Sequence, residues 1–420
     1  MSAILDLNDI ALRLWHEGDS LHSPGYAWFD GKEYRFGMHA AATHRRTPRA
    51  VNTRYWSQLG TQPLPSGLGP ARHCADLAHS HLQSLHSAAG APEKILIAAP
   101  GSMNREQLSL LLGIVQHLPF EIAGLVHRTG VLGAASGLER GLHVELQLHQ
   151  IVVTPFESED GHIVAGPSQS IPGEGLLALQ DRLATAISSV FVGQTRFDPL
   201  RSADAEQRLY DAMPKILADL KRSGEARVSI DGYEARMTQD DLIDIGRRLA
   251  EQLGPLLKSN WPVLIEYPLS ELPGLVLDSA VHAIATDALA GLITEHLPAL
   301  EQSPETLVLR RRVPKSQQAP HAHLLGTLES SQEVTAQLAQ PAPRPTHLLQ
   351  GHTATALGHE TSVDGAAVLR FDGDTLTLSG TVAPDLLVNG KPATPGQILA
   401  PGDELSDALG FQAQLIVVAS

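Results

Sequence analysis

Four histidines are crowded on one predicted helix, where imidazole nitrogens could bind a metal ion. They are His73, His79, His81 and His86. Paired histidine ligands on a helix usually lie four residues apart, because that spacing places both rings on one face. No two of these histidines have that spacing, and His79 and His86, seven residues apart, would need further ligands from elsewhere. We therefore expect solvent-facing histidines and no metal site here.

The cysteine content excludes two other kinds of site. The only cysteine, Cys74, permits neither a disulfide within the chain nor a zinc site built on paired thiolates.

Residues 1–15 lack a basic stretch followed by an apolar block, and no window approaches ~18 consecutive apolar residues. We expect a soluble cytoplasmic protein without direct membrane insertion.

The charge balance argues against nucleic acid as a partner. Lysine and arginine total 31 and aspartate and glutamate total 46, which gives a formal charge of −15 with neutral histidine. Such a charge opposes generic binding to a phosphate backbone or an anionic membrane.

The composition, 43% hydrophobic and 18% charged, is that of a globular protein, and 420 residues at ~150 per domain predict two to four domains.

The elements that would position a site begin near the amino terminus. The apolar run over residues 3–15 is interrupted by Asp6, Asn8 and Asp9, which predicts a strand, a tight turn and a second strand. Residues 25–36 alternate aromatic and polar side chains around an Asp-Gly pair, which is typical of a hairpin.

Strands and helices then follow in a regular order. The apolar run over residues 94–100 predicts a strand, and Asn104 with Gln107 predicts the capping box of the next helix. Alternation over residues 143–171 predicts a long hairpin that turns at 157–161. The remaining predicted elements are helices over 176–191, 202–220 and 239–258, and strands over 227–230, 234–237 and 261–267.

The chain changes composition after residue 312. Residues 314–345 are rich in Gln, Pro, Ala and Ser and show little periodicity, as linkers do. Short apolar strands separated by Gly, Asp and Pro follow, and their spacing predicts a small all-β sandwich. We therefore predict one domain over 1–312, a linker over 313–345 and a second domain over 346–420.

The segments of residues 1–312 resemble, in their order, the actin-like ATPase superfamily, and most closely the nucleotide-binding domain of the seventy-kilodalton heat-shock chaperones. The segments that carry the resemblance are ILDLN at residues 4–8, ILIAAPGSMNREQL, GLVHRTGVLGAA, PGEGLLALQDRL and VLIEYPLSELPGL. The resemblance implies an α/β architecture, a two-lobed actin-like (ribonuclease H-like) fold followed by the β-sandwich, with ATP or ADP and magnesium held between the lobes.

The same resemblance implies the residues of that site. Asp6 would face phosphate or magnesium, Asn8 replaces a phosphate-loop glycine, Gly173 and Glu174 begin a helix beside the phosphates, and Tyr267 lies in the adenosine loop. His127 matches the position of a polar group near the attacking water. Three alternatives stay open: Asp6 as a turn carboxylate, Gly173 as a flexible helix start, and His127 as a partly buried histidine.

The positions that should carry the chemistry depart from the family pattern. Phosphate hairpins need glycine, because a side chain would block the approach of backbone N–H groups to phosphate. The first hairpin has Asn8 instead, and the second reads ELQLH at 145–149, with no glycine from Val144 to Asp160. Tyr267 stands where the adenosine loop needs glycine. We therefore expect no bound cofactor and no enzymatic activity.

The carboxyl-terminal segment resembles a forkhead-associated domain, through ALGHETSV, LLVNGKPA and ILAPGDELSDALGFQAQLIVV. That family reads phosphothreonine with an arginine after its first glycine and with a Ser-x-x-His turn. His359 follows Gly358 here, and no Ser-x-x-His lies between Leu376 and Pro384. Residues 346–420 also hold 8 acidic and 2 basic residues, which would repel a phosphopeptide. We expect a fold kept for protein contact.

These patterns favour a catalytically inactive actin-like scaffold or adaptor that organises a larger bacterial assembly through protein partners, with self-association left open. The alternative is a nucleotide-binding, chaperone-like or polymerising ATPase that switches conformation with ATP or ADP and magnesium. A phosphothreonine reader is the third alternative, and the chain lacks the arginine and the Ser-x-x-His turn that this function needs.

Overall fold

The computed structural model describes residues 2–64, 68–258, 260–285, 287–318, 322–326, 345–350, 353–363, 367–372, 375–379, 382–407 and 411–416. The chain divides into two compact units, Met1–Ser330 and Ser331–Ser420. The larger unit is mixed α/β, and the smaller consists of antiparallel strands. The α/β class and the all-β carboxyl-terminal region predicted from the sequence are confirmed.

The first part of the larger unit contains a sheet and three described α-helices, of which the two longer ones pack on that sheet. Its elements are β1 (Ala3–Asp6), β2 (Leu12–His16), β3 (Asp19–Ser23), β4 (Ala27–Phe29), β5 (Tyr34–Phe36), α1 (Met38–Ala41), β6 (Val51–Asn52), α2 (Cys74–Ala88), β7 (Lys94–Ala99), α3 (Arg105–Val115) and β8 (Glu121–His127). The strand pair at the amino terminus, the hairpin of β4 and β5, and strand β7 are confirmed. Helix α3 begins with the predicted capping box of Asn104 and Gln107.

The second part of the larger unit contains longer helices. Its elements are α4 (Arg128–Ser136), β9 (Arg140–Leu146), β10 (Gln150–Glu159), β11 (His162–Ala165), β12 (Gln169–Pro172), α5 (Leu176–Thr195), α6 (Ala203–Ser223), β13 (Glu225–Ile230), β14 (Tyr233–Thr238), α7 (Ile243–Leu253), β15 (Val263–Ile265), β16 (Val281–Ile284), α8 (Ala288–Glu295), α9 (Leu297–Leu300), β17 (Arg312–Pro314) and β18 (Ala322–Gly326). Short 3₁₀ turns lie at Pro199–Arg201, Gln239–Asp241, Gly254–Leu256, Leu269–Glu271 and Pro304–Thr306.

Two sheets of the larger unit repeat one strand order. The first runs β3-β2-β1-β7-β8, with β1, β2 and β3 antiparallel and β1, β7 and β8 parallel. The second contains β11-β10-β9-β15-β16, with β9, β10 and β11 antiparallel and β9, β15 and β16 parallel. β1 and β9 therefore hold equivalent places at the centre of their sheets.

Apolar side chains bury the faces of both sheets. Helices α2 and α3 pack on the first sheet, and α5, α6 and α7 pack with the second. A third cluster joins the two sheets around α4 and α8, with Val126, Leu132 and Leu264 fully buried in it. Residues of both sheets therefore share this third cluster, which lies between them.

The long hairpin differs from its prediction, because residues 143–156 are not one strand. The chain reverses at residues 147–149, and the Gln147 N–H donates to the Gln150 carbonyl at 2.9 Å across this turn. None of its three residues has a positive φ, so the turn needs no glycine. The expectation of one strand running up to the turn at 157–161 was therefore wrong, whereas the turn at 147–149 does lack glycine.

Two of the four helix histidines also differ from their prediction. His81 and His86 are buried rather than solvent-facing. His81 Nδ1 lies 2.7 Å from the Tyr55 hydroxyl and 3.2 Å from Trp56 Nε1, and its ring stacks on Phe36. Aromatic packing and hydrogen bonds therefore make burial favourable for a neutral ring.

The second sheet continues past residue 312. β17 pairs with β11 and β18 pairs with β16, although both lie where composition marks the start of the predicted linker. Most of the remaining linker falls outside the described residues.

Among the described helices, α5 is long and apolar enough to cross a membrane, but its buried Leu183, Ile187 and Phe191 belong to the core of the second sheet.

The smaller unit contains a six-stranded and a four-stranded antiparallel sheet around one apolar cluster. Its strands are β19 (His347–Gln350), β20 (Thr353–Ala356), β21 (Glu360–Val363), β22 (Ala367–Asp372), β23 (Thr375–Ser379), β24 (Leu387–Val388), β25 (Lys391–Pro392), β26 (Ile398–Leu399), β27 (Glu404–Ser406) and β28 (Gln412–Ile416). Asn389 and Gly390 turn β24 into β25 with positive φ angles, as a tight hairpin turn requires.

Candidate functional site

The carboxyl ends of three central strands converge between the two sheets. Asp6 is the last residue of β1, Glu145 lies near the end of β9, and Glu266 follows β15. The ends of parallel strands at such a crossover are the usual ligand-binding edge of an α/β sheet. Three carboxylates therefore lie where the fold would place a ligand.

Arg128, the first residue of α4, lies among these three carboxylates. Its Nε and Nη2 donate to the two oxygens of Asp6 at 2.7 and 3.0 Å. Its Nη1 and Nη2 donate to Glu266 at 2.5 and 2.7 Å, and Nη1 lies 3.4 Å from Glu145. The side chains of Arg128 and Asp6 are each 1% exposed. We call these four residues the Arg128 cluster, a buried set of charges held by bidentate hydrogen bonds.

The cluster sets the protonation of its own members. Burial raises the pKa of Glu266, but the charge of Arg128 and hydrogen bonds from His143 and Arg128 hold that pKa well below its usual range. Burial dominates at Glu145 and raises its pKa. The carboxylates more than offset the burial of Arg128 and raise the pKa of its guanidinium. Arg128 and Glu266 therefore stay charged.

His143 on β9 connects Glu266 to α4. Its Nε2 lies 3.1 Å from a Glu266 oxygen, and its Nδ1 lies 3.0 Å from the Thr129 hydroxyl. An ionised carboxylate only accepts hydrogen bonds, so the His143 Nε2–H donates to Glu266. The His143 ring, held also by Thr129, thus orients the Glu266 carboxylate toward Arg128.

Two turns, one from each sheet, are hydrogen-bonded to each other beside the cluster. The first turn, residues 7–11, joins β1 to β2, and the second turn, residues 147–149, joins β9 to β10. Asn8 Nδ2 donates to the Leu146 carbonyl at 3.1 Å, and the Leu148 N–H donates to the Asp9 carboxylate at 2.8 Å. Burial raises the pKa of Asp9 to about 7, against the lowering effect of the Leu148 hydrogen bond. The turns therefore hold one another without a ligand between them.

The amino terminus of α5 packs against the second turn. The Leu176 and Leu177 amides donate to the carbonyls of Gln147 and Leu148 at 2.8 and 3.1 Å. A Cβ on Gly175 would lie 2.4 Å from the Leu148 carbonyl oxygen. Glycine is therefore required for the turn and the helix to approach so closely.

These hydrogen bonds use the groups that a magnesium nucleotide would need. Phosphates bind free N–H groups at turns and helix amino termini, but the amides of Leu148, Leu176 and Leu177 have protein acceptors. A magnesium ion needs carboxylate oxygens, but both Asp6 oxygens accept from Arg128. This donor set does not fit the phosphates and metal that the resemblance implies.

The residues predicted at the helix start lie away from the cluster. Glu174 pairs with Arg182 at 2.5 Å and accepts from Gln252 at 2.9 Å, and the hydrogen bond from Arg182 keeps the pKa of Glu174 below its usual value. Gly173 adopts a φ of 82° and donates its N–H to the His149 carbonyl. Both residues shape the approach to α5.

His127 ends β8 next to Arg128 and is fully buried. Neither ring nitrogen has a hydrogen-bond partner within the described part of the chain. Burial and the nearby charge of Arg311 lower the pKa of His127 to about 3. A general base for hydrolysis works best with a pKa near the operating pH, so this ring is poorly suited to that role.

A cavity of 1280 Å³ lies beside the first turn. Its walls come from β2 to β5, from residues 38–46, and from α5 and α6. Tyr267, the predicted adenosine-loop residue, is 39% exposed and lines this cavity together with Ile10, Arg13 and Tyr210. Tyr267 therefore borders a space rather than filling it.

Residues 41–46 contact helices α5 and α6 across the cavity. Arg45 pairs with Asp181 at 2.5 Å, and its guanidinium lies 3.7 Å from the centre of the Tyr210 ring. Gln207 accepts from the Arg45 N–H and donates to the Ala41 carbonyl. These contacts hold the two sides of the cavity together.

Arg128, Glu145 and Glu266 were not predicted as site residues, although the sequence around each one indicates a buried charge. Each is a charged residue within or directly after an apolar stretch, in LVHR, HVEL and VLIE. Charged side chains are almost never fully buried unless paired, so charges at strand ends indicate partners for one another. That signal indicates that a cluster of buried charges exists, but it does not identify which residues form it.

No group of three histidine, cysteine or acidic side chains in the described ranges has the geometry of a metal site. No protein-family model matches this chain, and no curated protein matches its sequence.

Proposed function

We propose that the larger unit is an actin-like, ribonuclease H-like fold of two lobes whose ATPase chemistry has been lost. The repeated strand order of the two sheets supports this proposal, because a duplicated sheet with a cleft at the strand ends is the architecture that the resemblance implies. The protein then acts as a scaffold or adaptor that organises a larger bacterial assembly through protein contacts.

The observation that carries the proposal is the position of Arg128. Its guanidinium binds Asp6 from the first sheet and Glu266 from the second, with 1% of its side chain exposed. In a working nucleotide site, magnesium and phosphates would join the two halves. A buried guanidinium already pairs with both carboxylates, so the chain needs no ligand to join them.

One observation favours the alternative, a nucleotide-binding ATPase that switches conformation or polymerises. The 1280 Å³ cavity adjoins the first turn and has aromatic walls at Trp28, Tyr210 and Tyr267. A nucleotide held there would have to place its phosphates without the Leu148 and α5 amides.

Thermal unfolding with and without magnesium ATP or ADP tests the proposal. A ligand at ~100 times its dissociation constant adds about 2.7 kcal/mol of stability and raises the midpoint by several degrees. We expect no shift at millimolar nucleotide. A magnesium-dependent shift that disappears with EDTA and in Asp6→Asn would establish the nucleotide-binding alternative.

For the smaller unit we propose protein contact that does not depend on phosphorylation. His359 is exposed, and Arg370 is already paired with Glu360 at 3.2 Å. Phosphatase treatment of the partner should leave its binding unchanged. Loss of binding after that treatment would identify a phosphopeptide reader instead.

A further inference from the structure

The cavity beside the first turn concentrates positive charge in an acidic chain. Four arginines line it against two aspartates: Arg13, Arg35, Arg45 and Arg46, with Asp30 and Asp211. His22, His39 and His44 also line it, and burial lowers the pKa of His44 to about 4, so that ring is neutral. The whole chain carries −15. Charge of this sign in one concave surface attracts an acidic ligand.

Most of these arginines already have partners, but Arg13 does not. Arg35 pairs with Asp30, Arg45 with Asp181, and Arg46 with Asp204. No hydrogen bond or ion pair joins the Arg13 guanidinium to any side chain that the structure describes. Arg13 is half-buried on β2, opposite Asp6 on β1, and the charges of Asp6 and Glu266 partly offset its burial. No hydrogen bond joins it to either carboxylate, so its guanidinium keeps N–H donors for a further acceptor.

Arg13 does not stand alone on the cavity wall. His22 is its cross-strand partner on β3, and side chains paired in this way project from the same face. Met38, 57% exposed, and Tyr267 lie at apolar parts of the lining. The wall thus combines an unpaired cation with apolar and aromatic surface.

The size of the cavity distinguishes a small molecule from a peptide. Small-molecule pockets measure ~300–1,000 Å³. This cavity, at 1280 Å³, exceeds that range and is formed by two separate parts of the larger unit. A chain segment fills such a space better than a single small anion does.

We propose that the cavity binds an acidic peptide segment of a partner protein, with a carboxylate on Arg13 and apolar side chains beside Met38 and Tyr267. This inference rests on the proposed scaffold function and names the chemistry of its partner. The occupied amides of Leu148 and α5 take no part, because the carboxylate needs only the free guanidinium.

Selection from a random twelve-residue peptide library on the full chain tests the proposal. We expect enriched peptides to carry net negative charge with apolar or aromatic residues. The dissociation constant of a labelled synthetic copy, measured by fluorescence anisotropy, should rise ~10-fold in Arg13→Gln, since 1.4 kcal/mol is tenfold. Met38→Glu, at an exposed position, should weaken binding similarly by repulsion, and Met38→Lys should not. Arg105→Gln, an exposed arginine outside the cavity, is the matched control.

Four results would overturn the proposal. The enriched peptides could lack negative charge, or Arg13→Gln and Met38→Glu could bind like Arg105→Gln. Inorganic phosphate or ATP could bind and displace the peptide, which would make the cavity a small-anion site. Self-association lost in Met38→Glu, measured by analytical ultracentrifugation, would make the occupant a second copy. A rise of the unfolding midpoint with magnesium ATP would also contradict the proposed scaffold function. If no acidic peptides are selected and the midpoint does not rise, only the present inference is contradicted.

Discussion

Asp9 and Leu148 are 139 residues apart in the chain and are joined by a hydrogen bond of 2.8 Å. The bond runs from a turn of the first sheet to a turn of the second. A buried carboxylate therefore occupies a backbone amide at a turn, the kind of N–H group that can otherwise bind a phosphate.

Asp9 should make stability depend on pH near neutrality. Burial raises its pKa in the folded chain from 3.8 to about 7. Because the folded state holds the proton more tightly, this contribution to stability is complete below pH ~4 and is lost as the pH rises to about 7. The difference in unfolding free energy between wild type and Asp9→Asn should fall by about 4 kcal/mol over that window. Urea unfolding at pH 4 to 8 measures it.

The Asp9→Asn variant is its own structural control, because its amide oxygen can still accept from Leu148. Other titrating groups are common to both proteins and cancel in the difference. A difference that stays constant with pH would show that Asp9 is not a buried titrating group.

Removal of Arg128 should be among the most damaging single changes in the chain. Arg128→Met leaves the carboxylates of Asp6 and Glu266 buried without their cation, which costs ~3–5 kcal/mol. Chemical denaturation measures the loss, and it should be smaller at pH 4, where protonation relieves the unpaired charge. Arg128→Lys should lose less, since it keeps a charge but not the forked geometry.

The Arg105→Met variant removes an exposed arginine and should stay within ~0.5 kcal/mol of wild type. An Arg128→Met protein as stable as this control would contradict the role of the cluster.

Two glycines near α5 should respond to alanine in opposite directions. Gly175→Ala should destabilise by roughly 1–3 kcal/mol, because the new Cβ would overlap the second turn, 2.4 Å from the Leu148 oxygen. Gly193→Ala, where a Cβ meets no atom within 4 Å, should stabilise by about 0.5–1 kcal/mol. Thermal unfolding compares the two variants. Equal effects would mean that the turn does not pack on Gly175.

His81 should contribute stability that acid removes. Its burial lowers its pKa from 6.5 to about 3, so the contribution is complete above pH ~6.5 and is lost as the pH falls toward 3. At pH 8, His81→Gln should cost ~1–3 kcal/mol through weaker bonding of Tyr55 and Trp56. That cost should shrink at pH 5, and a cost that grows in acid would contradict the burial of a neutral ring.

Local patterns predicted much of the fold. The capping box of Asn104 and Gln107 and the hairpin around Asp30 depend on residues a few positions apart, so their spacing is visible in the sequence. The turn at 147–149 was missed for the opposite reason. It contains no typical turn residue, and it is held by Asp9 and by the start of α5, both distant in sequence.

The site was less predictable than the fold. Asp6 was predicted as a candidate site residue because it lies in a strand that leads into a turn. Arg128, by contrast, shares no local motif with its partners. Its ion pair with Glu266 spans 138 residues. The pairing of β9 with β15 is needed to place Glu266 beside Glu145 in the cluster. Such a contact depends on the register of strands that the sequence does not specify locally.

The Arg128 guanidinium is a cation that belongs to the polypeptide. A bound metal ion can be chelated, exchanged or diluted away, and its occupancy follows its concentration. Arg128 is present once per molecule and stays protonated at any physiological pH. The junction between the two sheets is therefore completed during folding itself. Under the proposed scaffold function, its strength would not depend on the cell's magnesium level or on its ratio of ATP to ADP.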